Sequence, residues 1–452
     1  MISVGKPEPA SEPESRVVSF VPKRTVSDPV ANLMVDETRR FIPPFPHRLE
    51  NLDVPVGFLT DLALKTMSLD SDATTSSIAE RLHLGMIVTD ALLQRLAHDK
   101  LIEPKGVIGL HHNRYGMLDR GWVEVGRLMG VGSYCGPAPV SLQAYCDMLT
   151  KQVRGRLPAT NHALDRAMAD IILSDSAKQT LGLVASSGRS LFLSGPSGNG
   201  KTAMARALVD AIEGDLWIPY AIEVDGQVIR MFDPHNHIPA KNMPDDYDRR
   251  WIKIRPPLVV VGGELTLDSM ELGFTGTQRF YEAPFQVKSN GGVLVVDDLG
   301  RQRCSATELL NRWIIPLESR FDYLTLSTGK KIQMPFEQVV IFATNLTVSD
   351  IADEAFLRRM GYRMYVMAPS PDTYSEIFVK YARSHGLAVD PGIIPHIEQR
   401  YGMERRTPKA CEPRDLIDRV IEICKYRREP VRLTKDVLDM AWAVYFGASA
   451  SG

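Results

Sequence analysis

The chain has 452 residues and a formal net charge of −2, with 44% hydrophobic and 24% charged residues. Its length predicts several domains, and its composition is that of an ordinary globular protein. The small net charge excludes a strongly basic protein that binds nucleic acid through its overall field. Five widely spaced cysteines without a CxxC pair argue against a disulfide framework or a zinc site. No apolar run approaches the ~18 residues of a membrane span, so we expect a cytoplasmic protein without membrane insertion.

The N-terminal third combines a tail with a small domain. Residues 1–45 are rich in Pro, Ser and Glu and lack periodicity, which predicts a disordered tail. In residues 50–150, apolar residues at helical spacing predict helices in VPVGFLTDLALKTM, SSIAERL and MIVTDALLQRLAHDK. LIEPKGVIGLHHNRYGML predicts two strands around a glycine-containing turn. This order of elements resembles a winged-helix domain, and the Pro-rich stretch CGPAP after it predicts a rigid elbow.

Two kinds of partner are open for this domain. The helix MIVTDALLQRLAHDK, which would read DNA, is near neutral, whereas contacts with phosphates need Lys and Arg. His111, His112 and Arg114 on the predicted wing would add some contact with DNA. We therefore expect the domain to dock an unknown protein target, with DNA binding as the less favoured alternative.

Residues 155–370 alternate between strands and helices, which predicts a parallel α/β sheet. SLFLSG is a predicted strand, and KTAMARALVDAIEG a predicted helix that Gly214 caps. Four more apolar runs are typical of buried strands: PPLVVVGGEL, GGVLVVDD, FEQVVIFATN and YRMYVMA. Asp225-Gly226 predicts a hairpin turn. Residues 371–452 contain no such runs, and their pattern predicts helices.

A phosphate-binding loop is the most specific motif in the chain. Residues 195–202, GPSGNGKT, follow an apolar strand and fit the pattern G-x-x-x-x-G-K-[ST]. The glycines allow backbone N–H groups to turn towards phosphate oxygens, and the following helix adds its positive N-terminal end. We expect Lys201 to reach the β- and γ-phosphates and Thr202 to bind Mg²⁺. The predicted cofactor-binding residues are Gly195, Pro196, Ser197, Gly198, Asn199, Gly200, Lys201, Thr202 and Ala203.

Polar residues at the ends of two later strands predict the remainder of the site. Asp297 ends the strand VLVV and is a candidate ligand of Mg²⁺. Asp298 follows it, where a carboxylate can orient an attacking water. Asn345 ends the strand IFAT and is a candidate to position this water or to contact the γ-phosphate.

Three arginines complete the set of candidates. Arg358 and Arg359 lie together in FLRRMGYR, where a guanidinium can stabilise the γ-phosphate bound by a neighbouring subunit. Arg414 opens a predicted helix of the C-terminal region and is a candidate to fold over the nucleotide.

These motifs, in this order, resemble those of the AAA+ ATPases. Walker A is GPSGNGKT, Walker B is VLVVDD, sensor 1 is Asn345, the arginine finger lies in FLRRMGYR, and sensor 2 is Arg414. The resemblance implies a P-loop αβα domain at 155–370 and a helical lid at 371–452. It also implies ATP and Mg²⁺ as cofactors and a homo-oligomeric ring, a hexamer. The family pattern favours Arg359 over Arg358 as the finger.

The lead-in FYEAPFQVKSNGG and the hairpin before sensor 1 are similar to those of the MoxR-like and related branch. The layout also resembles that of bacterial ATPases with an N-terminal winged helix and possible chaperone activity. One departure concerns Asp298, because the family usually has Glu there. The Asp side chain is one methylene shorter, so hydrolysis is expected but its rate is in question.

The sequence thus favours a Mg²⁺-dependent AAA+ ATPase that remodels a protein or a protein complex. The alternative is a nucleotide-gated, DNA-binding transcriptional regulator, and an assembly scaffold with a degenerate site is a weaker third. GFTGT at 273–277 coincides only in part with the GAFTGA loop of activators that act on a sigma factor, so this interpretation is not favoured. His235 and His237 have no third ligand at a characteristic spacing, and a polar loop is the better interpretation.

Overall fold

The computed structural model describes residues 41–274, 279–347 and 354–447. The predicted tail lies outside these ranges up to residue 40, as do Thr275, Gly276 and Thr277 of the GFTGT stretch. Within the described ranges, no helix is both long enough and apolar enough to span a membrane.

The N-terminal region folds around one apolar core. Its elements are α1 (Val56–Met67), α2 (Thr75–Leu82), α3 (Met86–His98), β1 (Ile102–Gly109), β2 (His112–Met117) and α4 (Asp119–Val131). Thr74 caps α2 in a capping box with Ser77, and His83 ends this helix in the left-handed conformation. β1 and β2 form an antiparallel hairpin. The elements follow the predicted order, and their assignment as a winged helix stays a prediction.

The chain then continues with a longer series of strands and helices. They are β3 (Val140–Ser141), α5 (Leu142–Arg154), α6 (Asn161–Ala167), α7 (Asp175–Ser187), β4 (Leu191–Ser194), α8 (Lys201–Asp210), β5 (Leu216–Pro219), β6 (Ala221–Val224), β7 (Gln227–Arg230), β8 (Trp251–Ile254), β9 (Leu258–Val261), β10 (Gly273–Phe274), β11 (Tyr281–Glu282), α9 (Phe285–Lys288), β12 (Val293–Val296), α10 (Ala306–Ser319), β13 (Phe321–Thr325), β14 (Lys331–Pro335), β15 (Val339–Thr344), α11 (Glu354–Leu357) and β16 (Tyr362–Tyr365).

A five-stranded parallel sheet forms the centre of this part, in the order β16-β4-β15-β12-β9. Alternate side chains of its strands point to opposite faces of the sheet and pack into two separate cores. Leu193 and Val295 pack with α7 and α8 on one face, whereas Leu294 and Phe342 pack with α10 on the other. The predicted α/β fold with a parallel sheet and helices on both faces is therefore confirmed.

The helix after the phosphate loop is shorter than predicted, because α8 ends at Asp210 rather than at Gly214. The N–H groups of Ala211 and Ile212 bond to the carbonyl oxygens of Leu208 and Val209, which tightens the last turn and ends the helix.

A second sheet combines strands from the range 155–370, predicted to form one α/β unit, with β3, which lies in the range 50–150 predicted for the small domain. Its order is β10-β11-β7-β6-β3, and the pairs β5-β8 and β13-β14 pack with it and with α5 around a separate core. We call this unit the inserted region. The β6-β7 hairpin turns at Asp225 (φ 50°) and Gly226 (φ 77°), as the sequence predicts. The inserted region also contacts the N-terminal core through Ala221 and Val228.

The C-terminal part is helical, as predicted. Its elements are α12 (Pro371–Ser384), α13 (Ile393–Met403), α14 (Glu412–Arg427) and α15 (Lys435–Phe446). They enclose one core that includes Phe378, Val420 and Trp442. The segment before α14 contacts the phosphate loop, so this helical part lies next to that loop.

Candidate functional site

The phosphate loop joins the carboxyl end of β4 to α8. Gly195, Gly198 and Gly200 have φ angles of 134°, 85° and 85°, which other residues rarely adopt. A Cβ atom on Gly195 would lie 2.3 Å from the carbonyl oxygen of Val366, at the end of the neighbouring edge strand. Glycine is therefore required here both by conformation and by the close approach of the next strand.

Lys201 is buried at the start of α8. Its Nζ donates to the carbonyl oxygens of Gly195 at 2.8 Å and Pro196 at 2.9 Å, and also to Oδ1 of Asn345. Burial lowers the pKa of Lys201, and the carboxylates of Asp297 and Asp298 offset part of that change. A partly desolvated ammonium gains from an anion brought close to it, which is what a phosphate would provide.

Thr202 and Asp297 meet at the carboxyl edge of the sheet. The Thr202 hydroxyl donates to Oδ2 of Asp297 at 2.8 Å, although the two residues are far apart in sequence. A hydroxyl and a carboxylate are ligands that suit Mg²⁺, which usually binds one or two protein oxygens together with phosphates and waters. In the described ranges no cluster of three or more His, Cys, Asp or Glu forms a metal cage.

Asp298 and Asn345 lie beside this pair. Asp298 is exposed, has a φ of 49° and accepts a hydrogen bond from Nδ2 of Asn345 at 2.8 Å. Since the Asn345 oxygen also accepts from Lys201, one amide connects the lysine to the acidic residue.

Gln302 is a part of the site that sequence reasoning missed. Its Nε2 donates to the carbonyl oxygens of Asp297 at 3.0 Å and Asp298 at 3.2 Å, and its Oε1 accepts from the N–H of Gly300 at 2.7 Å. The side chain thus holds the turn that carries Asp298 in its left-handed conformation. A glutamine in a loop after a strand has no pattern that would single it out.

The segment before α14 lies directly on the phosphate loop. The N–H of Cys411 donates to the carbonyl oxygen of Gly198 at 2.9 Å, and that of Ala410 to Oδ1 of Asn199 at 3.2 Å. Nδ2 of Asn199 is buried and has no hydrogen-bond partner in the described part of the chain. An unpaired buried donor inside the loop fits a ligand that offers acceptor oxygens.

A buried carboxylate holds this segment in place. Oε2 of Glu412 accepts from the Tyr401 hydroxyl at 2.5 Å and from the N–H of Lys409 at 2.7 Å. Arg414 follows in the first turn of α14, with its guanidinium on Asp415 at 3.0 Å. The structure therefore brings the backbone near Arg414 to the loop, while the arginine itself is paired with its neighbour.

Arg358 and Arg359 lie away from the other candidates. They line a cavity together with Ser190 and Gly292, which precede β4 and β12, so they are at the opposite edge of the sheet from the phosphate loop. Arg358 pairs with Glu354 at 2.9 Å, and Arg359 with Glu318 at 3.1 Å. Within one chain, the predicted site thus divides into two parts on opposite edges of the sheet.

Comparisons with known proteins give one family and several remote structures. Residues 370–444, which include nearly all of the C-terminal helices, match a domain of unknown function, DUF8689. No curated protein matches the chain.

Two solved structures illustrate the remote similarity. The Thermotoga maritima RuvB Holliday junction branch migration motor is 17% identical, with a TM-score of 0.37 over 61% of this chain and 70% of that chain. NtrX from Brucella abortus in complex with ADP is 16% identical, with a TM-score of 0.38 over 61% of this chain and 56% of that chain.

Proposed function

We propose that the chain is a Mg²⁺-dependent ATPase of the AAA+ type that couples ATP binding and hydrolysis to the remodelling of a protein or protein complex. The observation that supports this most directly is the convergence of five side chains at one edge of the parallel sheet. Lys201 and Thr202 come from α8, Asp297 and Asp298 follow β12, and Asn345 follows β15. No two of these three segments are adjacent in sequence.

Each residue has a role that its contacts support. The loop glycines and Lys201 would hold the phosphates, and Thr202 and Asp297 would hold Mg²⁺. ATP supplies the bond that is broken, and Mg²⁺ supplies positive charge on its phosphates. Asp298 is exposed and accepts hydrogen bonds, so it is suited to orient a water for attack on the γ-phosphate. Its hydrogen bond with Asn345 fixes the direction of its shorter side chain.

The arginines of the opposite edge suggest that sites are shared between subunits. Arg359, or Arg358 beside it, cannot complete the site of its own chain from that edge, but it is suited to complete the site of a neighbouring copy. This arrangement supports a homo-oligomeric ring, for which we propose a hexamer. Arg414 in the C-terminal region would then contact the nucleotide from above, after exchange of its pairing with Asp415.

The N-terminal region is the proposed binding site for the protein target. At the tip of the β1-β2 hairpin, Val107 and Leu110 are 82% and 90% exposed. Exposed aliphatic side chains are typical of contacts with proteins, whereas DNA is bound through Lys and Arg. We therefore favour a protein target over DNA.

Two substitutions test the assignment of the site. Lys201→Ala should abolish ATP binding. Asp298→Ala should still bind ATP, but its turnover rate should fall by at least ~10²-fold. The matched control is Asp298→Glu, which keeps the carboxylate and should retain activity. Nucleotide binding and phosphate release would be measured on the full chain, with and without duplex DNA at low salt. Normal turnover of Asp298→Ala would contradict its role, and ATPase activity that depends on DNA would favour a regulator.

A further inference from the structure

A large cavity opens at the edge of the parallel sheet opposite the phosphate loop. Its volume is about 1180 Å³, which exceeds that of a typical small-molecule pocket. The residues before three of the parallel strands, Ser190, Gly292 and Gly361, form part of its lining, and α5, α7 and α10 end beside it. The positive charges of the lining belong to Arg154, Arg156, Arg189, Arg320, Arg358 and Arg359.

These arginines fall into two groups. Arg320 pairs with Glu337 at 3.2 Å, and Arg358 and Arg359 have the carboxylate partners given above. For the side chains of Arg154, Arg156 and Arg189, by contrast, the described ranges contain no carboxylate or other hydrogen-bond partner. Three guanidinium groups without a carboxylate partner therefore line one cavity, where Arg154 and Arg189 are exposed and Arg156 is partly buried.

Arg156 is the most deeply placed of the three. Burial lowers its pKa to about 10, and burial is the sole cause, so no neighbouring carboxylate compensates it. The group remains charged at neutral pH. Its backbone is fixed just after α5, where Gly155 packs so closely on the ring of Phe41 that a Cβ would lie 2.8 Å from it. A partly desolvated guanidinium gains from an anion bound close to it.

The helix ends explain only part of this charge. The carboxyl ends of α5, α7 and α10 meet the cavity, and each carries roughly half a negative charge. Together they would balance about half of the three unpaired positive charges. A surplus of more than one positive charge remains for a ligand.

We propose that this cavity is a second anion site, which binds a phosphate-bearing small molecule through Arg154, Arg156 and Arg189. A phosphate group carries up to two negative charges on oxygens that match the fork of a guanidinium, and a pyrophosphate carries more in the same space. The hydroxyls of Ser186, Ser187 and Ser319 line the cavity and supply further donors. The volume is sufficient for pyrophosphate and also for a nucleotide. This proposal does not require ATP hydrolysis, although the cavity also contains Arg358 and Arg359, the proposed fingers for a neighbouring copy.

The test separates this site from the phosphate loop. Pyrophosphate and ADP would be titrated calorimetrically into the full chain carrying Lys201→Ala, at low salt because such contacts are screened. We expect one pyrophosphate to bind per chain. Adding Arg156→Gln and Arg189→Gln should weaken this binding by at least ~10-fold. Arg156→Lys keeps the positive charge but not the planar guanidinium, so it should reduce the affinity for pyrophosphate by less. It also controls for a folding defect.

ADP binding with the same dependence on these arginines would identify a nucleotide as the source of the phosphate group.

The matched control is Arg166→Gln, because Arg166 is an exposed arginine paired with Glu213 outside the cavity. It should leave the affinity for pyrophosphate unchanged. Absence of pyrophosphate binding in the Lys201→Ala chain would overturn the proposal. Binding that survives Arg156→Gln and Arg189→Gln without change would do the same.

Discussion

At the scale of single residues, Asn345 connects the two chemical halves of the site. Its oxygen accepts from Lys201, which would bind phosphate, and its nitrogen donates to Asp298, which would orient water. A phosphate that draws the lysine towards itself would change the hydrogen bond at the other end of the same amide. We therefore propose that Asn345 adjusts Asp298 to the state of the nucleotide.

We expect Asn345→Ala to lower kcat by about 10², since loss of one positioned polar group typically costs that much. The affinity for ATP should change by less than ~3-fold, because the backbone of the loop and Lys201 would still bind the phosphates. Steady-state hydrolysis and equilibrium binding of ATP would separate the two effects. Leu346→Ala is the control, because this neighbouring side chain is 40% exposed. An equal loss in both variants would count against the role of Asn345.

Gly195→Ala is expected to abolish nucleotide binding for a steric reason. The added Cβ would lie 2.3 Å from the carbonyl oxygen of Val366, so the loop or the edge strand β16 must move. Fluorescent-nucleotide binding is the measurement, and circular dichroism would show that the chain still folds. In the control Gly402→Ala, a Cβ would have no neighbour within 4 Å, and binding should stay normal.

At the scale of elements, an ion pair links α9 to the loop after β7 in the inserted region. Lys288 of α9 donates to Asp233 at 2.8 Å, and the Asp233 side chain is 18% exposed. Burial alone would raise the pKa of Asp233, but Lys288 and the N–H of His235 lower it to about 2. The ionised form is thus favoured in the folded state. Stability from this contact is complete above pH ~4 and is lost as pH falls through about 2.

Asp233→Asn should consequently lower the free energy of unfolding by about 1 kcal/mol at pH 6, because the pair is partly exposed and an amide oxygen can still accept from the N–H of His235. The difference from the unsubstituted chain should shrink as pH falls from 4 through about 2, and should vanish at still lower pH, where both carry a neutral side chain. Lys288 keeps a second acidic neighbour, Glu282 at 3.6 Å, so it is not left alone. Amide hydrogen exchange in β7 would measure the effect. A difference independent of pH would show that the pair does not act through its charge.

At the scale of the molecule, the inserted region links the N-terminal region to the site. Arg250, only 4% exposed, pairs with Asp248 and Asp53 at 2.7 Å each and donates to the carbonyl oxygen of Pro139 at 3.1 Å. The β13-β14 hairpin belongs to the core of the inserted region and leads directly into β15, which ends before Asn345. A continuous set of packed elements therefore joins the proposed target-binding region to Asn345.

The division of the site between two edges of the sheet predicts complementation between subunits. Lys201→Ala chains would keep the arginine finger Arg359 but would no longer bind ATP. Arg359→Ala chains would bind ATP but would lack the arginine finger. The ATPase rate of each variant alone should be lower by roughly 10³-fold. A mixture should recover activity, because an Arg359→Ala site then receives the finger of its neighbour.

The control for this experiment replaces the first partner by the double variant Lys201→Ala, Arg359→Ala, which can supply no finger. That mixture should stay inactive. Failure of the first mixture to recover, while mixed oligomers form by light scattering, would contradict a shared site.

The sequence by itself determined the phosphate loop, the acidic residues after β12, Asn345 and the order of the parallel strands along the chain. These features depend on glycine spacing and on short apolar runs, which are local properties of the chain. Only the tertiary structure decided that residue 140 pairs with residue 222 in a second sheet, and that Cys411 contacts Gly198. The arginine-lined cavity likewise forms only where distant helix ends meet. Such contacts depend on packing between segments remote in sequence, and no local pattern encodes them.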